Sequence, residues 1–182
     1  MAARIRIEKA ARRLTLYLDG APARVFPVSL GRAPVGPKRA EGDMKTPEGR
    51  YFVCTRNDRS KYRLALGLSY PSAADARLAF AEGRIDAATR DAVIRAEAEG
   101  RRPPWDTPLG GFIMIHGGGA TEDWTAGCVA LDDEAIDALY PLVPLGAPVD
   151  IPERLAAFMN GTKQSVSLPK DFASFKEYLR KL

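Results

Sequence analysis

Three runs near the start of the chain alternate apolar with polar side chains at a period of two, and this pattern commits the first third to a sheet. Arg4-Ile5-Arg6-Ile7 and Leu14-Thr15-Leu16-Tyr17-Leu18 are the first two, and strands put successive side chains on opposite faces. Asp19-Gly20 follows as a hairpin turn of the I′ type, and alternation resumes over Ala23–Leu30. Residues 31–49 hold Gly31, Pro34, Gly36, Pro37, Gly42, Pro47 and Gly49, the composition of a long structured loop. Loops of that length in a compact domain are often functional. Tyr51–Thr55 and Leu64–Tyr70 read as further strands.

The pattern changes over 72–100. Ser72 is placed to cap a helix running to about Glu82 and stopped by Gly83, and Asp86 to cap a second, Ala87 to Glu99, stopped by Gly100. The pair reads as an insertion between strands. With loop 101–111 it forms either a lid or substrate wall, or a packing element at the surface. Phe112-Ile113-Met114-Ile115 reads as a buried strand, Val129-Ala130-Leu131 as a short one, and Asp132 as the cap of a helix to about Leu142. Ala147–Ile151 reads as a last strand, set at an edge by Pro148. A short helix near 153–159, a polar stretch Lys163–Pro169 and an amphipathic helix near 171–181 complete the chain. The expectation is a mainly β, α+β domain over about 1–160, followed by a polar linker and C-terminal helix over 161–182.

Charge is unevenly spread. Residues 1–63 carry 15 basic and 6 acidic side chains (+9), residues 64–160 carry 7 and 15 (−8), and residues 161–182 carry 5 and 2 (+3). A basic half can attract anionic polymers, or it is a solvated face. No aromatic-interleaved basic motif or zinc-finger spacing accompanies it, so no nucleic-acid partner is expected. No run of 18 apolar residues is present, so no membrane span is expected. The N-terminal residues lack the apolar core of a secretory signal. At face value that is a cytoplasmic start, and a chain whose leader had been removed would read the same.

The chain has one histidine and two cysteines. The histidine, His116, stands at the end of Phe112–Ile115 and is followed by Gly117-Gly118-Gly119. Cys128 follows Gly127, and Cys54 lies inside an apolar run, where it reads as a core thiol. A thiol attacks well only as thiolate, and a nearby imidazole can take its proton. If the chain does cysteine chemistry with a histidine base, only His116 is available. Backbone N–H groups around Gly127 and Cys128 can face an oxyanion. A carbonyl near Gly117 can orient the imidazole. The alternative is that both residues are structural, Cys128 as a small core side chain. One His and one Cys cannot fill a structural zinc site, so no metal is expected.

At these residues the chain resembles a known family. His116-Gly117, a loop, and Thr125-Ala126-Gly127-Cys128-Val129 are similar to the L,D-transpeptidase (YkuD-type) motif, a His followed by [Ser/Thr]-x-Gly-Cys. Gly42-Asp43-Met44-Lys45-Thr46-Pro47-Glu48-Gly49-Arg50-Tyr51 resembles the Thr-Pro-x-Gly loop of the same family. The resemblance spans about residues 4–151. Leu66–Pro71 and Trp124–Leu131 look most like its YafK-like branch. Two positions depart from the pattern: Ala126 stands where most members have His, and Ala130 where many have Arg or Asn.

The resemblance implies a β-sandwich or barrel acting on peptidoglycan stem peptides, without a cofactor. It implies Cys128 as nucleophile, His116 as general acid/base, Gly127 as oxyanion amide and Gly117 as backbone orienter of His116. Thr125, Gly118, Trp124 and Tyr70 are expected at the substrate. The acyl-enzyme thioester would pass to an amine acceptor, giving a crosslink or a murein-anchored lipoprotein. Passed to water, it would make the chain a carboxypeptidase or endopeptidase, including release of lipoprotein from murein. The same resemblance implies a periplasmic or envelope location. A non-catalytic module that binds cell-wall polymer through the basic half is the remaining alternative.

Overall fold

The computed structural model describes residues 2–153. The expected helices near 153–159 and 171–181, the linker between them, and the domain boundary near 160 lie outside the described residues.

The opening alternation builds one end of the sheet. In β1 (Ala3–Glu8) the side chains of Ala3, Ile5 and Ile7 are buried, and Arg4 and Arg6 face out. β2 (Arg13–Leu18) lies antiparallel to it, with Ile5 opposite Leu16 and Ile7 opposite Leu14. Asp19 and Gly20 both adopt positive φ, 49° and 87°, as a type I′ turn requires. They connect Leu18 directly to β3 (Ala21–Pro27), an exposed outer strand that begins two residues earlier than its alternation suggests.

The sheet then crosses to the C-terminal strand. β8 (Pro148–Ile151) lies between β1, to which it is parallel, and β4 (Gly49–Ser60), to which it is antiparallel. Pro148 had suggested an edge; it stands instead at the first position of an inner strand, where a missing N–H costs the ladder least. β4 pairs with β5 (Arg63–Leu68), β5 with β6 (Met114–His116), and β6 with β7 (Val129–Ala130). The order is β3-β2-β1-β8-β4-β5-β6-β7.

The two ends of this sheet meet. Beyond β3, Ser29 exchanges two 2.9 Å backbone hydrogen bonds with Ala130 of β7. Gly31 forms a parallel bridge with Thr125. The sheet is therefore a curled half-barrel. Its apolar interior includes Ile5, Leu16, Val53, Leu66, Leu68, Ile115, Val129, Leu131, Ile136 and Val149. Closure brings the segment before Cys128 against the loop after β3.

The helices fill the gaps. α1 (Ala73–Ala81) starts in a capping box formed by Ser72 and Asp75, and α2 (Ala87–Ala98) starts where the Asp86 carboxylate accepts from Thr89 N–H. They share a small apolar cluster, Ala76, Ala79, Ile85 and Val93, with Leu109 from the following loop. α3 (Asp133–Leu139) ends three residues earlier than expected. Pro141 has no N–H to continue the ladder, and Tyr140–Leu142 tightens into a 3-10 turn. β4 and β5 together form a longer hairpin than the apolar runs suggest. Arg56–Ser60 carry polar side chains past the core to a tight turn at Lys61-Tyr62. Among the described residues no helix is long and apolar enough to cross a membrane.

Candidate active site

The parallel pairing of β6 and β7 sets His116 and Cys128 relative to one another. Ile115 is opposite Val129, and His116 opposite Ala130. Continued back by one residue, this register puts Cys128 opposite Met114, two places from His116 on the same face. Met114 N–H donates to Cys128 Sγ at 3.4 Å, in keeping with that proximity. Phe112, expected in this strand, precedes it with φ 55° and a 61% exposed side chain. Its carbonyl accepts the Cys128 thiol at 3.4 Å. Both hydrogen bonds of Sγ thus run to backbone groups.

His116 is 3% exposed. Its Nδ1 lies 2.5 Å from the Gly117 carbonyl oxygen, which takes the Nδ1 proton and leaves Nε2 as the basic nitrogen. The Tyr62 ring stacks on the imidazole at 4.6 Å between centroids and 19° between planes, and the Trp124 ring meets it edge-on at 5.7 Å. Burial holds the imidazole below its ordinary pKa, the Gly117 bond opposes this, and Lys61 adds to the lowering. Burial raises the Cys128 thiol, against the Met114 N–H and the charge of Lys38. Both shifts favour the uncharged forms, thiol and imidazole.

The glycines mark close approaches. A Cβ on Gly117 would lie 2.5 Å from Asp133 Oδ1 and 2.9 Å from the Tyr62 carbonyl oxygen. Gly117 N–H donates to that carbonyl at 3.0 Å, and Gly118 N–H to Asp133 Oδ1 at 2.9 Å. Gly127 has φ 135°, and a Cβ there would sit 2.6 Å from the Lys45 carbonyl oxygen. A side chain at that φ would carry strain of about 1–3 kcal/mol before any clash.

The loop before β4 supports this turn. Thr46 is fully buried, and its Oγ1 accepts from Gly31 N–H at 3.0 Å. Its carbonyl accepts from the Lys9 ammonium at 2.8 Å, which also reaches Glu48 at 2.9 Å and the Gly36 carbonyl at 2.7 Å. Burial depresses the Lys9 pKa, and the Glu48 carboxylate opposes this. Thr46-Pro47-Glu48-Gly49 is thus a buttress behind the Cys128 turn.

Three expected positions do different work. Thr125 is 4% exposed; its hydroxyl donates to the Cys128 carbonyl at 2.8 Å and accepts from Gly127 N–H at 3.1 Å. The Gly127 amide, expected to face an oxyanion, is thereby occupied within the turn, while among the described residues Cys128 N–H has no acceptor. Tyr70, expected at the substrate, is wholly buried and donates to the Leu109 carbonyl at 3.0 Å. Its side chain is a core anchor, because the sheet and loop 101–111 close over it. Trp124 packs edge-on against His116 and donates through Nε1 to the Gly119 carbonyl at 3.1 Å, and a Cβ on Gly118 would face the Tyr62 and Trp124 rings. Cys54 is half-buried rather than in the core, and burial pushes its thiol up to about 11.

Other residues of the site carry no motif. Tyr62 reaches His116 from the tip of the polar β4–β5 hairpin. Asp123 accepts from the Arg12 guanidinium at 2.6 Å and from Leu30 N–H at 2.9 Å, tying the loop before Cys128 to the β1–β2 turn. Asp132, expected to cap α3, makes no side-chain cap bond and accepts instead from Ala120 N–H, while Asp133 accepts from Gly118 N–H; both pin the loop after His116. Among the described residues no group of three His, Cys, Asp or Glu side chains is placed to share a metal ion.

Comparison with known proteins follows this geometry. Residues 2–151 match the YkuD family, described as the L,D-transpeptidase catalytic domain. No curated protein matches the chain. Among solved structures the chain is similar to the helical cell shape determining protein Pgp2 from Campylobacter jejuni. A point mutant of that protein aligns at 23% identity and TM-score 0.57, over 84% of this chain and 47% of that one. A second structure of it aligns at 22% and 0.56, over 84% and 48%. An L,D-transpeptidase from Xylanimonas cellulosilytica aligns at 16% identity and TM-score 0.48, over 82% of this chain and 60% of that one. The chain spans about half the length of the Campylobacter protein, and at these identities the likeness is one of fold. With the family matched over nearly all of the described residues, the chain belongs to the L,D-transpeptidase catalytic domain (YkuD) family.

Proposed function

We propose that the chain is a cysteine-dependent L,D-transpeptidase of peptidoglycan, of the YafK-like branch, working in the cell envelope. The observation that carries this reading is the pairing of β6 with β7, which brings His116, its Nδ1 proton fixed on Gly117, to the same sheet face as Cys128. In the first step the thiol proton swings from the Phe112 carbonyl to His116 Nε2. The sulfur then attacks the carbonyl carbon between the third residue of a stem peptide and its terminal D-Ala. Cys128 N–H is the turn amide left to hold the oxyanion. Imidazolium gives its proton to the departing D-Ala amine, and a thioester remains on Cys128. An acceptor amine, deprotonated by His116, attacks the thioester and restores the thiol.

The test is incubation with a tetrapeptide stem, with and without a second stem carrying a free side-chain amine. Release of D-Ala together with a crosslinked product is the expected result. D-Ala release with no crosslink under any amine concentration would assign hydrolysis instead, and no release would contradict the reading.

A further inference from the structure

We propose that Tyr62 is a positioning residue for the base: its ring, stacked on the His116 imidazole, fixes the imidazole plane, and the Lys61 ammonium lies against the same ring. The proposal deepens the reading above and rests on His116 being the base.

Three independent contacts place Tyr62 there. Its ring lies nearly parallel to the imidazole, 4.6 Å away. Its carbonyl accepts the N–H of Gly117, the residue whose own carbonyl holds Nδ1. Trp124 packs edge-on against both rings, 5.3 Å from Tyr62 and 5.7 Å from His116. The imidazole is thus held in its plane by the Tyr62 face, along one edge by Trp124 and at Nδ1 by Gly117. A side chain is excluded from Gly117 for the same reason, and one at Gly118 would be crowded. A Cβ on Gly118 would sit 3.3 Å from Tyr62 Cδ1, and one on Gly117 2.9 Å from the Tyr62 carbonyl oxygen.

The charge pattern gives the stack a second consequence. Lys61 Nζ lies 4.8 Å from the Tyr62 centroid, so the ring that carries the imidazole already carries a cation. A second positive charge against it is disfavoured. From α3, Asp133 is turned onto Gly118 N–H and Asp132 onto Ala120 N–H. From the turn before β7, the neighbour is the Cys128 thiol. Lys61 is therefore the charged side chain whose removal has the most direct effect on the imidazole. A base kept neutral at rest is ready to accept the thiol proton, which a resting imidazolium is not.

The experiment uses the fact that this chain has one histidine, so one imidazole Cε1–H signal titrates in its NMR spectrum. In Lys61→Met the midpoint of that titration should rise, and the acid limb of kcat/KM for D-Ala release should rise with it. The shift should shrink at high salt, because Lys61 is at the surface. Tyr62→Ala should lower kcat about tenfold or more, with KM changed by less than about twofold, and Tyr62→Phe should recover most of that loss. Coincident midpoints for Lys61→Met and wild type, or full kcat in Tyr62→Ala, would overturn the proposal. Should Tyr62→Ala fail to fold, the Lys61→Met titration still decides. Should the wild-type chain release no D-Ala, the functional reading fails, while the NMR titration stands apart from it.

Discussion

Cys128→Ala is expected to release no detectable D-Ala from a tetrapeptide stem, while Cys54→Ala releases it as the wild type does. The two thiols differ by position. Burial raises both. Cys128 sits on the face shared with His116, in a turn held by Thr125 and backed by the Lys45 carbonyl. Cys54 belongs to β4, which is separated from β6 by β5. In the proposed reaction the acyl group is carried as a thioester, so alanine at 128 removes the atom that would hold it. Full D-Ala release by Cys128→Ala, measured with circular dichroism matching wild type, would remove Cys128 from the chemistry.

His116→Ala is expected to slow D-Ala release by about 10²–10⁴-fold near pH 7. Without the imidazole the thiol must ionise to solvent, and burial makes that ionisation harder than for a free cysteine. The defect should therefore narrow as pH rises toward the thiol pKa, where thiolate forms without help. In the wild type, kcat/KM should climb with pH through the depressed His116 pKa, with its midpoint below the ordinary histidine value of 6.5. The direction follows from the sign of the shift: a lowered pKa keeps the imidazole in its neutral, proton-accepting form down to a lower pH. A defect of constant size from neutral to alkaline pH would point to a structural role for His116.

The parts of this site that could be read in the sequence are those where one residue type has little alternative use. A sole histidine at the end of an apolar run, and a cysteine after glycine, identify the pair, and β6 and β7 bring them together. The strands at the N-terminus follow from alternation, because Ile5, Ile7, Leu14 and Leu16 must all face one interior. Both inserted helices start and stop where their caps and glycines mark them.

What escaped reading depends on contacts between distant segments. Nothing in Ser60-Lys61-Tyr62 distinguishes an exposed turn from one folded over an active site. The difference arises only when β5 pairs with β6 and lays the hairpin tip against Gly117. Thr125 belongs to the motif, yet its hydroxyl is turned inward to hold the turn, which residue type does not reveal. The Thr46–Gly49 loop marks the family without showing that its function here is support, since that depends on Lys9, 37 residues earlier than Thr46. Pro148 misleads because a proline rule for strand interiors does not apply at a strand's first residue.

The central claim is that Cys128 is an acyl-accepting nucleophile, and trapping tests it most directly. Imipenem presents a strained β-lactam carbonyl to whichever thiol is activated for acyl transfer, and intact mass followed by peptide mapping locates the product. One imipenem equivalent on Cys128 in wild type and in Cys54→Ala, with no adduct on Cys128→Ala, is the predicted result. An adduct carried by Cys54, or none on folded wild-type protein, would contradict it.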